Sequence, residues 1–386
     1  MQSLELNIEK EFPIKKTTAY FNNASYTPMS NSSITAIEHA IRSYSTNGPD
    51  DQFYHEFRDG ADETRSKLSK LLNAKKECFV FTESATQGIN LVANGFKFAH
   101  GDAMITRGGA TEHPANYLPW KYYADQKGVE IVDLSIDGLG IPDPSELDSV
   151  LKRTKARLVV LSHVLYNLGT IMPAKEMSRI SHERNSLFFL DISQSAVNTS
   201  VDLQDIDCDF AAGTAAKWLC GPLGLGFFYC KVEVASSLEP LNFGANSYTK
   251  DKDGNQNSDD LPARFQEGFR NWAYVYGLSS AIDLIERFGV EDVRSKNREL
   301  SEIMIDEFQD SKEEFELLSP VEEKFRTSIV SISPYRETPA KIVQKLRNQG
   351  VVVAEREIRT KKIIRISPHF YNDEREVSSM FEKLKN

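Results

Sequence analysis

Cysteine is scarce in this chain: four in 386 residues, Cys78, Cys208, Cys220 and Cys230. They form neither a CxxC pair nor a Cys/His metal spacing, so neither a zinc site nor a disulfide framework is implied, and a reducing cytoplasm is the expected compartment. Positive charge is in deficit too. Forty-six Lys and Arg face 56 Asp and Glu, for a formal charge of -10 and a pI near 5.4. No dense Lys/Arg cluster interleaved with aromatics occurs, which argues against a nucleic-acid partner. No apolar run reaches the ~18 uninterrupted residues of a transmembrane helix, so no membrane span is expected. The opening MQSLELNIEKEFPIKK alternates charge without an apolar core, unlike a secretory signal. Repeats and low-complexity tracts are absent, and only Ser247–Pro262 reads as a long polar loop.

What remains is the composition of a globular protein, 40% hydrophobic and 10% aromatic, enough for a large domain and a smaller one. Strand and helix patterns alternate from Cys78 to Asp191. That is the βαβ pattern of a mostly parallel sheet with sites at its strand C-termini. The stretch Leu190–Cys230 concentrates the chemistry. Phe188-Phe189-Leu190-Asp191 is an apolar run ending in an acid, the way a buried parallel strand presents a carboxylate at its edge. Further on, Gly213-Thr214-Ala215-Ala216-Lys217 sets one lysine among small neutral residues. Desolvation lowers the pKa of such a lysine toward the neutral amine, and neutral amines attack carbonyls. A nucleophilic lysine with an aspartate able to keep a pyridine nitrogen protonated suits pyridoxal 5'-phosphate (PLP).

The motifs Asp191-x-x-Gln194 and Lys217 followed by Gly221-Pro222 resemble those of the class V aminotransferase family of fold-type I PLP enzymes, which includes cysteine desulfurases, selenocysteine lyases and isopenicillin N epimerase. The resemblance implies Lys217 as the Schiff-base lysine, Asp191 as the pyridine-nitrogen partner and Gln194 as a donor to the ring hydroxyl. It extends along the chain in family order. Ser84-Ala85-Thr86-Gln87 lies where strand passes to helix, and the amides of Ala85 and Thr86 with the Thr86 hydroxyl would cradle the phosphate. Glu112-His113-Pro114-Ala115-Asn116 resembles the signature whose histidine covers the PLP ring. Asn167, in Tyr166-Asn167-Leu168-Gly169-Thr170, would lie between ring hydroxyl and substrate carboxylate. Arg365, in Arg365-Ile366-Ser367 with Tyr371-Asn372 after it, would bind the substrate carboxylate. Asn23 and Ala24 are either site-wall residues or ordinary turn formers.

Two positions depart from the family. Ala216 stands where a phosphate-contacting histidine is usual, with Thr214 able to supply a hydroxyl. Phe269 stands where a threonine reaches the partner subunit's phosphate, and Arg270 either replaces it or pairs with surface acids. The span Gly350–Arg365 holds no cysteine, which excludes persulfide relay from that loop. The expected fold is α/β: a large PLP domain over residues 18–260 with helices on both faces of a mostly parallel sheet, and a smaller α+β domain from 1–17 and 261–386 with a linking helix. The expected function is a homodimeric PLP enzyme acting on an amino acid, a C–S or C–Se lyase without a loop persulfide. Lys217, His113 and Asp191 are its catalytic set. The alternatives are an aminotransferase, an epimerase, or a protein of this fold that binds PLP without turnover. No metal is implied.

Overall fold

The computed structural model describes residues 8–109, 111–250, 256–257, 262–268 and 271–385. After β1 (Ala19–Tyr20), two helices cover Asn31–Asn47 and Asp51–Leu72. Then follow β2 (Phe79–Thr82), β3 (Ala103–Thr106), β4 (Glu130–Asp133), β5 (Ala156–Ser162), β6 (Leu187–Asp191), β7 (Phe210–Thr214) and β8 (Gly226–Cys230). Strands β2 to β8 form one seven-stranded sheet in the order β2-β8-β7-β6-β5-β3-β4. Its neighbours β4, β3, β5, β6 and β7 run parallel, and β8 runs against both β7 and β2.

Both faces of this sheet are covered, which is why its strands read as unbroken apolar runs. Alternation sorts their side chains. Phe188 and Leu190 pack into one hydrophobic cluster with Val159, Leu161 and Phe227, while Phe189 packs into another with Val160, Phe210 and Phe228. The helix Ala85–Gly95 begins where β2 ends, and the Ser84 hydroxyl caps it by accepting the Gln87 N–H at 3.2 Å. Gly88 lets this helix lie close on the sheet: a Cβ there would stand 2.9 Å from the Ala212 Cβ. The N-terminus of the helix is thereby seated at the sheet's edge.

A short antiparallel pair, β9 (Thr249–Lys250) and β10 (Gln256–Asn257), occupies part of the polar stretch. The linking helix spans Trp272–Phe288 and packs on Asn31–Asn47 and Asp51–Leu72. The C-terminal unit adds the helix Val290–Asp310 and the strands β11 (Phe315–Leu317), β12 (Val330–Pro334), β13 (Val351–Val352), β14 (Ala354–Ile358) and β15 (Lys361–Ile366). Four of these make an antiparallel sheet in the order β11-β12-β15-β14. β13 instead pairs in parallel with β1, Ala19 beside Val351. Asn22 bridges to Ser367, and Phe21 is buried with Ile364 and Ile366. Backbone pairing and a buried aromatic thus tie residues 19–22 to this unit.

Candidate active site

The C-terminal ends of β2, β5, β6 and β7 converge on one cavity of about 260 Å³, to whose wall β14 and β15 of the smaller sheet contribute Arg356 and Arg365. This is the location that a mostly parallel sheet offers a ligand. Ala24, Ala85, Thr86, His113, Asp191, Gln194, Thr214, Lys217 and Arg365 all line it, although they come from segments up to 341 positions apart in sequence (365 − 24).

Lys217 follows β7, and its amine has no hydrogen bond or ion pair among the described residues. Burial pushes it down to about 8, against the opposing pull of the Asp191 carboxylate; the Arg365 and Arg356 charges lower it further. At the end of β6, Asp191 Oδ1 accepts the Ser193 N–H at 2.9 Å. Burial pushes its carboxyl above the ordinary carboxylate range, the state of an acid short of donors. Gln194 is held by both ends of its amide: Nε2 donates to Ala24 O and Oε1 accepts from Trp218 Nε1, each at 2.8 Å. One amide hydrogen remains for a ligand.

His113 Nδ1 accepts the Ala115 N–H at 3.1 Å, so its neutral ring carries the proton on Nε2. Burial pushes this imidazole down to about 4, helped by the charges of Lys217 and Arg365. Ala85 and Thr86 occupy the first turn of the capped helix, where N–H groups lack intrahelical acceptors. Thr214 Oγ1 accepts from the Ala216 N–H at 3.4 Å. Arg365, on β15, is 1% exposed. It donates to Tyr166 O at 2.7 Å, Ser25 Oγ at 2.6 Å and Asn22 Oδ1 at 3.3 Å.

Two expected residues stand elsewhere. Asn23 is fully buried and does not line the cavity. Its amide donates to Ser367 O at 2.8 Å and accepts from Tyr371 Oη at 2.6 Å, fastening the N-terminal segment to the C-terminal one. Asn167 is also absent from the cavity wall, which Tyr166 occupies. The Asn167 side chain is buried with neither amide atom paired among the described residues. Arg270 lies outside the described residues. Residues the sequence reading missed are Ser25, Tyr166 and Arg356: Ser25 Oγ accepts from both Arg365 and Arg356, and the Tyr166 ring stands edge-on to His113 with centroids 4.8 Å apart. No local motif marks them.

The donor set fits PLP. A lysine amine without a partner among the described residues, a buried carboxylate bonded only by Ser193 and a capped helix N-terminus share one cavity, and these are the complements of an aldehyde, a pyridine N–H and a phosphate. Among the described residues no group of His, Cys, Asp and Glu is arranged to hold a metal ion. Fold and site together define a fold-type I PLP-dependent enzyme. Residues 19–380 match the family model described as Aminotransferase class-V, and the chain belongs to that family. It is 30% identical over 298 residues to a probable cysteine desulfurase of Methanothermobacter thermautotrophicus, covering 77% of this chain and 74% of that protein. A probable cysteine desulfurase of Borreliella burgdorferi is 26% identical across 98% of this chain and 95% of its own. Among solved structures, the apo cysteine desulfurase of Thermococcus onnurineus NA1 superposes with a TM-score of 0.88 at 24% identity, over 98% of this chain and 96% of that one. The cystine C–S lyase C-DES, in complex with its product cysteine persulfide, gives 0.86 at 22%, over 97% and 99%. These structural likenesses establish the fold.

Proposed function

We propose that the protein is a C–S or C–Se lyase acting on a cysteine-type amino acid, and that it releases the sulfur or selenium directly instead of passing it to an enzyme thiol. One observation carries this reading: the cavity that holds Lys217 and Asp191 contains no cysteine. All four cysteines are buried elsewhere, and burial raises the thiol pKa of each, which makes them poor nucleophiles.

When bound, PLP supplies an electron sink for charge developing at the substrate α-carbon. The chain's own residues supply the rest. Lys217 Nζ would hold the cofactor through its aldehyde carbon and, when free, would serve as the base for the substrate α-proton. Asp191 would accept the ring N–H and keep that nitrogen protonated. Gln194 would offer its remaining amide hydrogen to the ring hydroxyl, and the Ala85 and Thr86 amides with the Thr86 and Thr214 hydroxyls would hold the phosphate. His113, neutral above pH 4, offers Nε2–H to the cavity without adding charge. Arg365 binds the α-carboxylate, and Tyr166 and Ala24 form the wall beside it. The assembly we expect is a homodimer. Exposed Ile41, Tyr44 and Tyr54 support self-association, and a cytoplasmic location is consistent with four free thiols.

The test is product analysis by mass spectrometry of PLP-loaded protein in deuterated water with L-cysteine, selenocysteine, an S-substituted cysteine and a pool of ordinary amino acids. Released sulfide or selenide with pyruvate and ammonia, or sulfur or selenium at the zero oxidation level with alanine, is the expected result. Keto acid with pyridoxamine phosphate, or α-deuterium without cleavage, moves the reaction to transamination or epimerisation.

A further inference from the structure

Two cations line the same cavity, and among the described residues neither forms an ion pair with the acids that also line it, Glu83 and Asp191. Arg365 on β15 is paired in register with Ala354, and Arg356 on β14 with Ile363. Positions two apart on a strand share a face, so the two arginines are diagonal neighbours on one face, with Cβ atoms about 7–8 Å apart. Both side chains converge on Ser25: Arg365 Nη2 and Arg356 Nη2 each donate to its hydroxyl. Both line the cavity.

The remaining donations of Arg356 and Arg365 go to Glu355 O, Tyr166 O and Asn22 Oδ1, all uncharged oxygens. Among the described residues no carboxylate forms an ion pair with either. The acids of β14, Glu355 and Glu357, alternate onto the opposite face, where Glu355 meets Lys362 at 2.9 Å. Glu112, the acid beside His113, is already paired with Arg107 at 2.6 Å. Arg365 Nε is buried with no acceptor among the described residues. Like charges on one strand face repel, and a buried cation without a counter-charge is costly. One α-carboxylate on Arg365 balances one of the two charges; the other is left.

We propose that Arg356 binds a second anion carried on the side chain of the substrate, so that the enzyme takes amino acids bearing an acidic group beyond the β-position in preference to neutral ones. In the lyase reading this means a cysteine whose sulfur substituent carries the charge. The inference rests on the amino-acid and PLP assignment above, and one experiment separates the two.

Bind succinate and its neutral-ended match, succinamate, to the PLP-loaded protein by isothermal titration calorimetry at low ionic strength. Neither has an amine, so neither reacts. Succinate should bind about tenfold tighter or more, the scale of one charge-assisted contact. Arg356→Gln should bring the two affinities together, and Arg356→Lys should restore part of the difference. Equal affinities in the natural protein, or a preference that survives Arg356→Gln, overturns the proposal. Kinetics with S-carboxymethyl-L-cysteine and S-carbamoylmethyl-L-cysteine should show the same preference in kcat/KM. Covalent loading of PLP is measured on the same samples: loading without anion preference sinks this inference alone, and anion preference without loading at Lys217 sinks the PLP assignment while leaving the arginine pair as an anion site.

Discussion

Arg107 Nε and Glu112 Oε1 lie 2.6 Å apart with both side chains sealed from solvent. Arg107 also donates to Gly140 O at 2.6 Å and Thr111 O at 3.2 Å. Glu112 accepts from Ser162 Oγ at 2.5 Å, Ser162 N at 3.1 Å and Asn116 Nδ2 at 3.2 Å. The Arg107 charge and the Ser162 donors outweigh burial and hold the Glu112 carboxyl below the ordinary carboxylate range. Through these bonds the end of β5 is tied to the turn that carries His113. Removing one partner leaves the other charged and buried, at a cost of about 3–5 kcal/mol. Glu112→Gln should lose stability on that scale in denaturant titrations. The pair Arg107→Met with Glu112→Leu should be closer to the natural protein than either single change; a double variant as unstable as the single one refutes the stranded-charge explanation.

Lys217 governs capture of the cofactor. Its amine, pushed down to about 8 chiefly by burial, is mostly protonated below that pH and mostly neutral above it. The rate of covalent PLP uptake by the cofactor-free protein should therefore rise with pH through about 8 and level off. Borohydride reduction should fix PLP to the peptide containing Lys217, and Lys217→Ala should abolish the adduct. A fixed adduct in that variant places the attachment on another lysine.

Acid should weaken the fold through buried neutral imidazoles. Burial alone pushes His163 down to about 4, and His113 reaches about 4 for the same leading reason. His369 is pushed down to about 3 by burial, with the Trp218 carbonyl opposing. In the unfolded chain these rings take a proton near 6.5. Between pH 6.5 and 4 the unfolded state thus binds more protons, and stability falls as pH falls. The full difference for His163 is on the order of 3 kcal/mol. His163→Leu, which also removes an unpaired Nδ1, should lose less stability across that window than the natural protein. An unchanged slope in denaturation at pH 6.5, 5.5 and 4.5 excludes His163 as a contributor.

The residues legible in the sequence were those announced by their own strand. Asp191 ends an apolar run, Lys217 sits among small residues after the next strand, and Ser84-Ala85-Thr86 marks a strand-to-helix passage; parallel topology then carries all three to one edge. Arg356 was not legible, because its place beside Arg365 depends on the register of β14 against β15. Ser25 depends on the same closure. Asn23 stayed open between site wall and ordinary turn former, because a turn before small residues is all its neighbourhood shows. Its partners, Ser367 and Tyr371, lie 344 and 348 positions away, and no local pattern encodes them. The pairing of β1 with β13 likewise joins opposite ends of the chain.

Tyr166 and Asn167 are adjacent, yet they make opposite predictions. Tyr166 lines the cavity, its carbonyl holds Arg365, and its ring packs on His113. Asn167 is 1% exposed, and neither amide atom has a partner among the described residues. A buried amide without hydrogen bonds costs on the order of 1–3 kcal/mol. Exchange for an apolar side chain of similar size should remove that cost. Asn167→Leu is accordingly expected to keep or gain stability and to leave KM within about twofold, whereas Tyr166→Ala should raise KM by about tenfold through loss of the wall beside Arg365, the scale of one binding contact. Denaturation and steady-state kinetics on both variants decide the matter. A large KM increase in Asn167→Leu with unchanged stability returns the substrate role to Asn167, and then its amide must be satisfied by the ligand and by no group of the protein.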